Sequence, residues 1–150
     1  MVGEIWFYHL ERSSLETVLP ALLERTMGRG WRALVRADDD DLLKRLDDHL
    51  WTYRPDSFLA HGRADEPHAA EQPVVLTRAR ENPNGAQALF IVDGADLAVS
   101  EEFERCFILF DGNDEMALAA ARDRWKTLKA DGGELQYWKQ DGEGRWARAA

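Results

Sequence analysis

VGEIWFYHLERSSLETVLPALLERTMGRGWRALVR, residues 2–36, is the stretch on which the fold turns. Residues 2–9 are rich enough in aromatic and aliphatic side chains to read as a first strand. Ser13 or Ser14 then caps a helix running to about Met27, in which Leu15, Val18, Leu19, Leu22 and Leu23 recur at helical spacing. Gly28 and Gly30 end that helix, and residues 31–36 read as a second strand. The acidic run 38–41 opens a second helix with Leu42, Leu43, Leu46 and Leu50 on one face. A β-α-β-α opening is the pattern of a mostly parallel sheet covered by helices, so the fold class is α/β.

Downstream, the periodicity fails over residues 51–72, where Pro55, Gly62 and Pro67 mark a long connection. Residues 74–77 are a short strand candidate and 82–85 a turn. Residues 88–92 and 105–110 are apolar enough to be buried central strands. Asn113 or Asp114 starts a long helix to about Ala130, stopped by Gly132 and Gly133. Residues 134–140 and 144–147, joined by Asp141, Gly142 and Glu143, read as a C-terminal hairpin. No repeat or low-complexity break interrupts the chain, so residues 1–150 are expected to form one domain.

Apolar residues make up 45% of the chain and charged residues 31%, an ordinary folded balance. The longest apolar runs last four or five residues, far short of the roughly 20 that span a bilayer. The lone cysteine, Cys106, sits inside one of them, which excludes an internal disulfide and points to a reducing, cytoplasmic setting. The net charge of −9 argues against strong direct nucleic-acid binding, because phosphate affinity needs clustered Lys and Arg.

Catalytic and cofactor chemistry find no seat. Asp93-Gly94 and Asp111-Gly112 end apolar strands, where an Asp could hold Mg²⁺, but neither phosphate-loop nor dinucleotide glycine motifs are present. Turn chemistry explains both pairs more simply. The four histidines, His9, His49, His61 and His68, lack metal-ligand spacing, and His49 amid charges reads as solvated. No metal, cofactor or nucleophile is therefore expected.

Two surface features remain. Arg122, Lys126 and Lys129 follow at spacings of four and three, on one helical face, with Trp125 beside them and Leu118 one turn earlier. Such a stripe suits an acidic peptide with a hydrophobic end, although a solvated face pairing locally with Asp123 has the same pattern. Trp51 and Phe58, in an aromatic loop after the second helix, either cover the core edge or anchor a partner.

Taken in order, Phe7-Tyr8-His9-Leu10, Leu46-Asp47-Asp48-His49-Leu50-Trp51, Ser57-Phe58-Leu59-Ala60-His61-Gly62, Phe110-Asp111-Gly112-Asn113-Asp114 and Ala121-Arg122-Asp123-Arg124-Trp125-Lys126 resemble the chi subunit family of bacterial DNA polymerase III. The ending, Tyr137-Trp138-Lys139-Gln140 with Gly144-Arg145-Trp146, is similar as well. The resemblance implies a three-layer α/β/α domain acting as a non-catalytic subunit of the clamp-loader assembly. It also implies a site for the acidic C-terminal tail of single-stranded DNA-binding protein at Arg122, Trp125 and Lys126, which Lys129 and Leu118 extend. Docking of the psi subunit, or another clamp-loader component, falls to Trp51 and Phe58. Leu118 stands where the family suggests lysine, Asp111 where it suggests an apolar residue beside the site, and Ala60 where it often has proline. The first two imply weaker or rearranged tail contacts. The competing expectation is a small nucleotide- or metabolite-binding α/β protein using Asp93 and Asp111. A direct binder of single-stranded DNA ranks behind both.

Overall fold

Alternation along the first strand supplies both faces of the sheet. In a computed structural model, which describes residues 3–53, 60–79, 81–92, 94 and 103–150, β1 spans Glu4–Leu10. Ile5 and Phe7 enter one core and Tyr8 and Leu10 the other. The chain continues as α1 (Leu15–Gly28), β2 (Ala33–Arg36), α2 (Asp40–Thr52), β3 (Gly62–Arg63), β4 (Val74–Thr77), β5 (Ala88–Val92), β6 (Arg105–Asp111), α3 (Glu115–Ala130), β7 (Leu135–Gln140) and β8 (Trp146–Arg148). Among the described residues the strands form one sheet in the order β3-β4-β2-β5-β6-β1-β7-β8. Every neighbouring pair is parallel except the closing β7–β8 hairpin. Helices α1 and α2 pack on one face and α3 on the other, giving the α/β/α layering.

Every residue of β5 is buried, and Phe90 stacks on Phe107 of β6 with ring centroids 4.5 Å apart. Covering such a side chain on both sides stabilises by roughly 1.5–3 kcal/mol. Cys106 is fully buried in β6, where burial pushes its thiol up to about 12. Ser14 caps α1 through Thr17 N, Asp39 caps α2 through Asp41 N, and Asp114 caps α3 through Met116 N and Ala117 N.

Several expected boundaries shift. Val2, placed in the first strand, lies outside the described residues, and β1 extends instead to Leu10. Trp31 does not join β2, because its N–H donates to Thr26 O as α1 unwinds. Among the described residues of the connection over 51–72 stand β3 and one 3-10 turn, Ala69–Glu71. Two residues pairing at a sheet edge carry no periodic signal. β8 starts two residues later and ends one later than expected because Asp141 accepts from Arg145 N and Glu143 N, lengthening the turn.

His49, expected to be solvated, is half-buried and hydrogen-bonded. Pro20 stands inside α1 and has no N–H to give the carbonyl of Glu16, four residues earlier. That carbonyl is taken by His49 Nε2 of α2 at 2.6 Å. A proline vacancy in one helix is thus filled by the side chain of the next. His49→Ala is expected to lower the unfolding free energy in urea by about 1 kcal/mol, the scale of a part-buried hydrogen bond. In a Pro20→Ala background, where residue 20 regains its N–H, the same change should cost clearly less. Equal costs in both backgrounds would refute the coupling.

Candidate functional site

Ala121 faces the sheet from α3, and Leu118, Trp125 and Leu128 pack on the same core. Their spacing leaves Arg122 and Lys126 at the border between helix and solvent, both exposed. Trp125 meets Phe7 edge-on at 5.3 Å and Tyr137 at 5.7 Å, while Tyr137 stacks on Phe7 at 6.3 Å. The result is a groove of about 440 Å³ between α3 and β7. Trp125 and Tyr137 form its apolar floor, Arg122 and Lys126 one rim and Lys139 the other, with Ala149 and Ala150 at its end.

His9 closes the groove from below. Tyr137 Oη lies 2.6 Å from its Nδ1, and Glu11 Oε1 sits 2.9 Å from its Nε2, close but poorly aligned for a hydrogen bond. Glu11 also pairs with Lys139 at 3.3 Å. Burial lowers the His9 pKa, opposed by the Glu11 carboxylate and reinforced by Lys139 and Arg122. Burial also raises that of Tyr137, keeping its hydroxyl a donor. Gly112 touches this unit as well: a Cβ there would lie 2.0 Å from the imidazole.

Of the residues singled out in the sequence, Arg122, Trp125 and Lys126 come together in the groove. Lys129 lies outside its lining, its ammonium 5.6 Å from the Trp125 ring centre, and Leu118 packs against the core beneath α3. Asp111, expected beside the site, lines a different cavity of about 720 Å³ at the C-terminal ends of β1 and β6. Its carboxylate accepts from Asn113 N at 2.9 Å, the turn chemistry read from Asp-Gly. Asp93 and Phe58 lie outside the described residues. Trp51 is 53% exposed at the end of α2, its ring 4.6 Å from that of His61. Among the described residues no three His, Cys, Asp or Glu side chains are grouped to hold a metal ion.

Sequence reasoning missed His9, Tyr137 and Lys139. Tyr137 and Lys139 are two apart on β7, hence on one face, and could have been paired with the alternating His9 once β7 was set beside β1.

Fold and groove define an α/β protein with a basic-rimmed, aromatic-floored surface cleft. The chain belongs to the family described as DNA polymerase III chi subunit, HolC, which it matches over residues 2–136. It is also similar to the probable DNA polymerase III subunit chi of Rickettsia prowazekii (strain Madrid E), 29% identical over 91 residues. That match covers 61% of this chain and 55% of the relative. No helix among the described residues is long and apolar enough to cross a membrane.

The lowered pKa of His9 has a definite sign. Between the native value and the ordinary 6.5, the unfolded chain binds a proton that the folded chain does not. This contribution to stability is therefore complete above pH 6.5 and is lost as pH falls through the native value. Urea titrations at stepwise lower pH should show that decline, and His9→Gln should flatten it. An unchanged slope in the variant would show that His9 is not its source.

Proposed function

We propose that the chain is a non-catalytic, cytoplasmic adaptor of the DNA polymerase III assembly, holding the acidic C-terminal tail of single-stranded DNA-binding protein in the α3–β7 groove. The observation that carries this reading is the pairing of an aromatic floor, Trp125 and Tyr137, with unneutralised cations on one rim. Neither Arg122 nor Lys126 has an ion-pair partner among the described residues, although the chain carries −9 overall. A chain-terminal aromatic side chain fits the floor, and its carboxylate meets the Arg122 guanidinium, a planar fork suited to it. Lys126 faces the upstream acids as a point charge, with Lys129 farther along the helix. Leu118 and Asp111 do not line the groove, so neither need weaken the contact.

Trp51 suits the docking of a psi-like subunit or another clamp-loader component, on a different part of the molecule. A half-exposed indole at a helix end is the kind of side chain that dominates interface energies. Together the two surfaces support a bridge between the clamp loader and the protein coating single strands.

Fluorescence anisotropy with a labelled peptide copying the host tail tests the groove. Saturable binding should weaken with salt and vanish when the peptide's chain-terminal aromatic residue is removed. Arg122→Ala should cost about 1–3 kcal/mol, the scale of losing a charged hydrogen-bond partner. Unchanged affinity in a folded Arg122→Ala chain would overturn the assignment.

A further inference from the structure

The sheet face that bears α1 and α2 is covered unevenly. α1 lies over β2 and β6. Beyond it, β1, β7 and β8 present Trp6, Trp138 and Trp146, each only half-buried. Trp6 and Trp138 have ring centres 5.6 Å apart, and Tyr8 links Trp138 (6.4 Å) to Trp146 (5.0 Å). At the other end the Arg105 guanidinium lies 4.0 Å over Trp6 and 5.4 Å from Trp31, and Arg29 lies 4.2 Å over Trp31. Four of the six tryptophans therefore form one band. Arg25, beside Tyr8, and Arg29 are exposed along it, as is Arg148, directly across from Trp138. Arg105 is paired with Glu4 at 3.1 Å.

We propose that this band is a second binding surface, which takes a short stretch of single-stranded nucleic acid across β1, β7 and β8. Bases stack on indole rings regardless of sequence, and guanidinium forks hold phosphates. Aromatic side chains on neighbouring strands of an open sheet face form the same kind of platform. A row of ring systems running from Trp31 through Trp6 and Trp138 to Trp146 favours stacked bases over a docked peptide, for which a few aromatic anchors suffice. Three arginines besides Arg105 limit the footprint to a few phosphates. This agrees with the acidic chain's lack of a large nucleic-acid surface. The surface lies on the opposite face from Arg122 and does not depend on the tail reading.

The test uses the whole chain and an oligothymidine of about twelve nucleotides at low salt, followed by quenching of tryptophan fluorescence and by anisotropy of labelled oligonucleotide. Saturable quenching is expected, with log K falling against log salt at a slope of about −2 for three phosphate contacts. Trp138→Ala and Arg29→Glu should each weaken binding at least about fivefold, while Arg122→Ala leaves it unchanged. Arg29→Glu alters an exposed position and remains informative if Trp138→Ala fails to fold. Absence of quenching with a folded chain would overturn the proposal, as would binding indifferent to Arg29→Glu. Binding of an oligoglutamate peptide that persists in Arg122→Ala and is lost in Arg29→Glu, with none of the oligonucleotide, would overturn it too, making the band a protein-docking surface.

Discussion

The parallel pairing of β1 with β6 is the constraint on which the other parts depend. It runs the full length of both strands, from Glu4 opposite Arg105 to Leu10 opposite Asp111. Because side chains alternate along a strand, this one register sends Phe7 and Ile108 to the α3 side and Tyr8 and Leu109 to the α1 side. It also brings His9 against Phe110, 5.2 Å between ring centres, so that β7 on the other flank of β1 can reach the same imidazole with Tyr137. A slip of one residue would exchange the two cores and bury Trp6 where Phe7 belongs.

The central strands are legible in the sequence because a strand covered on both faces must be apolar throughout, as Ala88–Val92 and Arg105–Asp111 nearly are. The caps are legible as short alternatives for the same local reason, donor and acceptor lying within three residues: the structure selects Ser14 over Ser13, Asp39 within the run 38–41, and Asp114 over Asn113. Half of the groove could be read likewise, since Arg122, Trp125 and Lys126 are neighbours on one helix. The other half could not. His9 and Tyr137 are 128 residues apart, and only the order of strands in the sheet makes them adjacent. Gly62–Arg63 escaped notice because a two-residue edge strand has no period to detect.

Charge is distributed against its own average. The chain is acidic as a whole, yet the rim at Arg122 and Lys126 is basic, and the tryptophan band is flanked by arginine. A distant acidic partner meets a repulsive mean field and an attractive local one. Exposed charges more than about 10 Å apart are screened at ordinary salt, so local attraction prevails once the surfaces are close. Such a surface discriminates by contact more than by long-range steering.

Pro20 and His49 bear on the order in which the molecule assembles. In a regular helix interior each carbonyl finds its donor within the helix itself, four residues on. Here the carbonyl of Glu16 receives its donor from a residue 33 positions further on. While the chain is being synthesised, α1 can emerge and coil without ever being finished. Its missing bond forms only when α2 packs against it, which ties the completion of α1 to the docking of α2.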